Sequence, residues 1–145
     1  MNRRVVLGLA LALALATAAP AADEFGVIVH ASVAGTSIKR SALAAVFLKQ
    51  AQRWSSGGGL AVPVDQSGTS PVRKAFSEAV IQRPVTQVVQ YWQKQMFSST
   101  RLIPPPVKST DAEVIAFVAK NAGAVGYVGS ATPLPPEVKK LEVVD

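Results

Sequence analysis

Short apolar runs alternate along the chain with segments whose apolar residues recur at helical spacing. Consecutive β-branched residues predict strands, and apolar residues every three or four positions predict helices. The predicted strands cover 25–30, 60–65, 124–128 and 140–144, and the predicted helices cover 37–48, 71–81, 85–97 and 110–120. Strands that alternate with helices predict an α/β fold, a single three-layer lobe with a small, mostly parallel sheet flanked by helices.

The ends and faces of these helices have their own signals. Thr36 or Ser37 is expected to cap the first helix, and Ser70 is expected to cap the second. Thr110 and Glu113 have the spacing of a capping box at the start of the helix over 110–120. Pro63 favours an edge position for the strand that contains it. The helix over 85–97 is expected to face inward through its apolar residues, which are Val85, Val88, Val89, Trp92 and Met96.

The first twenty or so residues have the pattern of a secretory signal peptide. Arg3 and Arg4 precede an uncharged, Leu- and Ala-rich run over 5–16, and small residues follow it. A membrane anchor is the alternative, but a span needs about 20 strongly apolar residues, and this run is shorter. We expect cleavage near Ala21 or Ala22 and export to a bacterial periplasm.

Composition narrows the class of the remaining chain. Removal of the signal at 1–21 leaves 22–145, which suits a single soluble domain with an ordinary core. The sequence has no cysteine, which excludes disulfides, thiolate metal sites and a lipid-modified cysteine. The full chain has a net charge of +6, and its basic residues are scattered along the sequence. They do not form the basic run or the strand with interleaved aromatic residues that is typical of a nucleic-acid-binding surface. We therefore expect no nucleic acid partner.

A loop of hydroxyl residues and glycine at 67–70 is the main candidate for chemistry. It leaves a predicted strand and enters a predicted helix, where backbone N–H groups lack internal acceptors. Such a start is suited to holding phosphate, sulfate or a carboxylate, although an ordinary turn with an N-cap has the same sequence. The candidate ligand-binding residues are Ser67, Gly68, Thr69, Ser70 and, in the first helical turn, Arg73.

Signals of catalysis are missing from the sequence. It contains no Ser-His-Asp set, metal cluster or Walker loop, and Asp65 stands where a nucleophile elbow around Ser67 needs glycine. We therefore expect a protein that is not an enzyme, with no catalytic residue, no metal and no cofactor. Other conspicuous side chains are expected to have packing or solvated roles; they are His30, Trp54, Tyr91, Trp92 and Tyr127.

Three segments occur in the same order in the periplasmic phosphate-binding proteins of ABC transporters, which the chain resembles over about 36–128. They are the helix over 37–48 leading to Trp54, the SGT loop at 67–69, and the AGAVGYV segment at 122–128. The resemblance implies the fold of a periplasmic-binding-protein lobe, with phosphate held by the SGT loop and a membrane transporter as partner.

The chain also departs from that family's pattern. The family has a phosphate-binding Arg four residues before the Ser, and this position is Pro63 here. Asp65, the usual partner of that Arg, is therefore expected to be idle, and its charge opposes an anion. The family's chains are more than twice this length and have two lobes that close on the anion, whereas this chain resembles the second lobe alone. We expect weak or absent phosphate binding by the isolated domain.

Two functions stay open at this point. One is an exported substrate-binding domain for phosphate or a similar small anion. The other is a periplasmic interaction or regulatory module that keeps the lobe fold without binding a ligand and works through a membrane-bound sensor, a transporter or its own dimer. A homodimer would rebuild a two-sided clasp.

Overall fold

The computed structural model describes residues 25–145, so the predicted signal peptide and its cleavage site lie outside the described residues. The strands are β1 (Gly26–His30), β2 (Ser37–Lys39), β3 (Val62–Pro63), β4 (Asp65–Gln66), β5 (Val107–Lys108), β6 (Ala124–Val128) and β7 (Val138–Val144). The helices are α1 (Arg40–Phe47), α2 (Pro71–Phe76), α3 (Val85–Met96) and α4 (Asp111–Lys120), with a π-helical turn (Ser77–Ile81) after α2. Over this range, no helix has the length and apolar character needed to cross a membrane.

Five strands form one sheet in the order β2-β7-β1-β6-β3. β2 runs parallel to β7 and β3 parallel to β6, whereas β1 is antiparallel to both of its neighbours. Four of these five strands therefore point in one direction, which confirms the mostly parallel sheet with β1 as the exception. β4 and β5 pair in parallel as a separate two-stranded sheet.

Helices cover both faces of the five-stranded sheet. Val27 and Val29 of β1 pack on one face with side chains from α1, α2, the π-helical turn and α3. Ile28, which lies between them, packs on the other face with Val114 and Val118 of α4. Because successive side chains of a strand point to opposite faces, this alternation gives the three layers that the sequence predicts.

Residues 37–39 form a strand where the sequence predicts the first turn of a helix. Ile38 is buried and its strand pairs with β7, and α1 begins only at Arg40, without a side-chain cap. The expectation that Thr36 or Ser37 caps α1 is therefore wrong. Burial of a β-branched residue against a neighbouring strand outweighs a weak local helix preference.

The predicted strand over 60–65 divides between the two sheets. β3, with Pro63, lies at the edge of the main sheet as predicted, because proline cannot donate to a further strand. Val64 still donates to the carbonyl of Val125 in β6 at 2.8 Å, and the next residue already belongs to β4. The chain therefore leaves the main sheet just before the candidate loop.

The helix over 85–97 is confirmed as α3, but its predicted inward face is too wide. Val88 and Trp92 are buried, whereas Val89 is 46% and Met96 is 48% exposed. The inward prediction is wrong for these two residues, because α3 packs on the domain along a single line of its surface. The helix consequently presents apolar side chains to solvent near the candidate loop.

The predicted capping box of the last helix is confirmed. The Glu113 amide donates to the Thr110 hydroxyl at 3.2 Å, and the Thr110 amide donates to the Glu113 carboxylate at 3.2 Å. These two bonds satisfy donors that a helix start otherwise leaves open, and they fix where α4 begins against the sheet.

Gly126 of β6 lets α4 lie close to the sheet. A Cβ on this residue would lie 2.7 Å from Cγ1 of Val114 and 2.9 Å from Cγ1 of Val64. Both neighbours are fully buried, so neither can move aside at low cost.

We predict that Gly126→Ala lowers the free energy of unfolding by about 1–3 kcal/mol, the usual cost of overpacking a core. Urea unfolding followed by circular dichroism measures it. Gly26→Ala is the matched control in β1, because its Cβ would lie 3.8 Å from the nearest atom. Equal stability of the two variants would contradict this account of β6.

Candidate functional site

The loop over 67–70 joins β4 to α2 and lies beside β5. The amide of Ser67 donates to the carbonyl of Lys108 in β5 at 3.0 Å, which closes the strand side of the loop. Gly68 and Thr69, at its tip, are exposed. The proline-rich segment at 104–106, directly before β5, therefore lies beside the loop and does not cover its tip.

The four backbone amides of this loop differ in whether they already have a hydrogen-bond acceptor within the chain. The Ser70 amide donates to the Ser67 carbonyl at 2.9 Å, and the Ser67 amide is taken by β5. Among residues 25–145, the amides of Gly68 and Thr69 meet no acceptor. The hydroxyls of Ser67 and Thr69 lie 3.1 Å apart at the same tip. Two free amides and a pair of hydroxyls that bond to each other are thus the polar groups that the loop presents.

Ser70 has a structural role, as its predicted position before the helix requires. Its hydroxyl oxygen accepts the Arg73 amide at 3.4 Å, and its hydroxyl donates to Oε1 of Gln66 at 2.9 Å. The predicted N-cap is confirmed. Ser70 therefore holds the loop against β4 and has little hydrogen-bonding capacity left for another group.

Asp65 and Arg73 form a buried ion pair behind the loop. Nη1 of Arg73 contacts Oδ2 of Asp65, and the two side chains are only 6% and 8% exposed. The other carboxylate oxygen, Oδ1, accepts the Tyr127 hydroxyl and, at 3.0 Å, the Gln66 amide. The expectation that Asp65 is idle is wrong, because Arg73 of α2 supplies the guanidinium that Pro63 cannot.

Burial and charge determine the protonation of this cluster. Burial by itself lowers the pKa of Arg73, but the Asp65 and Tyr127 side chains raise that pKa above its ordinary value. Burial first, and the Asp65 charge second, raise the pKa of Tyr127 far above its ordinary value. At neutral pH Arg73 is a cation balanced by the Asp65 carboxylate, and Tyr127 is a neutral donor.

Gln66 connects this cluster to the other side of the sheet, a role that the sequence analysis missed. Its Nε2 donates to the Tyr127 carbonyl at 2.9 Å and to Oδ1 of Asp111 at 2.8 Å. Oδ2 of Asp111 in turn accepts the Gly129 amide at 2.9 Å and the Thr132 hydroxyl at 3.0 Å. The available signal was a polar residue directly after a buried strand.

A cleft of about 350 Å³ opens beside the ion pair, between the loop, α3 and the segment over 104–107. Part of its wall comes from Asp65, Gln66, Gly68 and Arg73, and most of the rest is apolar, including Val85, Val89, Trp92, Met96, Pro105 and Val107. Nε of Arg73 is buried and has no hydrogen-bond partner in the described part of the chain. A buried donor without an acceptor is uncommon in native proteins and requires an explanation.

Larger cavities lie away from this cluster. Two of them, of about 480 and 430 Å³, are both lined by Val33 and Trp54. No residue of the loop or of the ion pair contributes to either wall. The cleft beside the ion pair is therefore the candidate site because several polar groups converge on it, although it is smaller than these two cavities.

The conspicuous aromatic residues take packing roles, as predicted. Trp54 is buried and its indole donates to the Gly123 carbonyl at 2.9 Å, and the Tyr91 hydroxyl donates to a backbone carbonyl at 2.7 Å. The Tyr127 ring stacks on Phe76 with centroids 4.0 Å apart. Nδ1 of His30 accepts the Ser32 amide at 3.0 Å and lies 2.7 Å from the Ser32 hydroxyl. Over residues 25–145, no group of three or more His, Cys, Asp or Glu residues could hold a metal ion.

We predict that Asp65→Asn costs about 3–5 kcal/mol of folding free energy, because it leaves the buried Arg73 charge unbalanced. Urea unfolding measures the loss, and Lys74→Ala, at an exposed position of α2, is the control. A loss below about 1 kcal/mol in Asp65→Asn would contradict the importance of the buried pair.

Comparison with known proteins shows similarity in structure. Neither family models nor curated proteins match the sequence. An ABC-type phosphate transport receptor from Vibrio cholerae matches with a TM-score of 0.63 and 16% identity, over 83% of this chain and 46% of the receptor. A putative phosphate ABC transporter substrate-binding protein from Clostridium perfringens, solved with bound phosphate, matches with a TM-score of 0.62 and 17% identity, over 83% of this chain and 45% of that protein. PstS from Borrelia burgdorferi matches with a TM-score of 0.59 and 15% identity, over 83% of this chain and 47% of PstS.

These comparisons confirm the resemblance at the level of fold. The chain spans about half the length of each matched structure, and its predicted α/β lobe covers most of its own residues. The identities are too low to carry over a ligand or a binding residue. The chain has the fold of a single lobe of the substrate-binding proteins that serve phosphate ABC transporters.

Proposed function

We propose that this chain is a binding protein rather than an enzyme, and that it holds a small anion, such as phosphate, at the tip of the 67–70 loop. The free amides of Gly68 and Thr69 carry the proposal. Successive backbone N–H groups that point to the same place can bind an anion even where no charged side chain contributes. Ser67 and Thr69 add hydroxyl donors, and Ser70 holds the loop in position.

The strength of binding follows from the same groups. The charge of Arg73 is balanced by Asp65, so the guanidinium adds little net attraction for an anion. The exposed loop tip leaves the anion in contact with water, where hydrogen bonds to a charged group gain little over hydration. We therefore expect binding weaker than micromolar for phosphate.

The proposed setting is the periplasm, after removal of the leader at 1–21 from a domain over 22–145. This setting rests on the signal-like N-terminus and on the lobe fold shared with transport receptors. A membrane transporter or a membrane-bound sensor is the proposed partner, and a second copy of the chain would supply the opposing wall that a two-lobed receptor has.

A second candidate function, binding to another protein, rests on a separate observation. Large apolar side chains are exposed on and after α3, namely Val89, Met96, Phe97 at 90%, Ile103 at 73% and Val107. Val89, Met96 and Val107 line the same cleft, and exposed apolar residues that lie together often mark a contact surface. A module that binds a protein through this surface and no ligand through the loop is therefore the alternative.

The test is a thermal-unfolding series with phosphate, sulfate and carboxylates on matched variants at Gly68. A Cβ at Gly68 would lie 3.8 Å from Val85, so Gly68→Ala fits without strain, whereas the Gly68→Trp side chain would fill the space next to the loop. We expect anions to raise the Tm of wild type and Gly68→Ala and to leave Gly68→Trp unchanged. A ligand at 100 times its Kd adds about 2.7 kcal/mol to stability.

The outcomes separate the two candidates. If none of the anions raises the Tm of the wild type at concentrations up to tens of millimolar, the binding proposal is wrong and the interaction module is favoured. An equal rise in Gly68→Trp would show that anions bind somewhere other than the loop.

A further inference from the structure

The cleft beside the ion pair has two unlike ends. Asp65, Gln66 and Arg73, with the backbone of Gly68, form a polar end, and α3 with the proline-rich segment forms an apolar end. Its volume of about 350 Å³ falls within the range of roughly 300–1,000 Å³ that holds small organic molecules. A few polar groups that converge on a mostly apolar wall are the usual composition of such a site.

We infer that the ligand of this site is a monocarboxylate with an apolar body, rather than an inorganic anion. The inference rests on the proposed function, because the same loop holds the charged group. What it adds is the single charge and the apolar body, each of which follows from a separate part of the cleft.

The single charge follows from the balanced ion pair. Asp65 and Arg73 carry no net charge together, so the polar end has no surplus positive charge to stabilise a dianion. Even partial loss of hydration costs a dianion more than a monoanion where no compensating cation is present. The free amide of Gly68 lines this end, and the free amide of Thr69 follows it at the loop tip, so the loop offers donors for the oxygens of one carboxylate. Arg73 also lines this end, and its buried Nε has no hydrogen-bond partner among residues 25–145.

The apolar body follows from the face of α3 that lines the cleft. Val89, Trp92 and Met96 are spaced at three and four residues and therefore share one face of the helix. Val89 is 46% and Met96 is 48% exposed although both line the cleft. An inorganic anion leaves these side chains in water, whereas an aromatic or branched aliphatic body removes them from it.

Isothermal titration calorimetry on the wild-type protein tests the inference with a graded series. The probes are phosphate, sulfate, acetate, phenylacetate and the neutral phenylacetamide. We expect phenylacetate to bind at least about tenfold more tightly than acetate, because its ring buries apolar area that acetate lacks. Phosphate and sulfate are expected to bind no more tightly than acetate, and phenylacetamide to bind more weakly than phenylacetate.

The double variant Val89→Ser/Met96→Ser provides the matched control. Both residues are half exposed, so the fold should tolerate the change, and the Tm of the variant verifies this. We expect its affinity for phenylacetate to fall about fivefold or more, with acetate unaffected, since only the apolar contact is lost. If the variant does not fold, the wild-type series decides alone.

Failure of this inference is distinguishable from failure of the proposed function. Inorganic anions that bind as tightly as phenylacetate would overturn the organic ligand and leave anion binding at the loop intact. Phenylacetamide that binds as tightly as phenylacetate, or no binding by any anion, would overturn both.

Discussion

The buried pair between Asp65 and Arg73 is the interaction on which the rest of the site depends. It connects β4 to α2, and through the Tyr127 hydroxyl it connects both to β6. An unbalanced charge at this depth would be strongly destabilising, so α2 must begin where Arg73 reaches Asp65. That requirement fixes the path of the chain over 67–70 and leaves Gly68 and Thr69 at an exposed tip.

The sequence predicts well what local chemistry decides. The Ser70 cap, the capping box of α4, the edge position of Pro63 and the three-layer arrangement are all confirmed. Each of them depends on residues that are neighbours in the chain or on a regular period. The same holds for the resemblance, whose motifs are short and occur in a fixed order.

What the sequence does not predict depends on contacts between distant segments. The motif places the Arg partner of Asp65 at position 63, which is Pro63 here, so the sequence predicts no partner for Asp65. In the structure Arg73 reaches Asp65 from the following helix. The role of Gln66 requires Asp111, which is 45 residues away. Val89 and Met96 have the period of a buried face, and only the packing of α3 along one line shows that they border a cleft.

Binding of an anion at the loop tip through two free amides can be observed residue by residue. The measurement is an NMR titration of ¹⁵N-labelled protein with phosphate, and with a carboxylate. We predict that the amide signals of Gly68 and Thr69 shift with added anion, while those of Ser67 and Ser70, already bonded to carbonyls within the chain, shift much less. Shifts confined to other residues, or an absence of shifts at Gly68 and Thr69, would contradict the account.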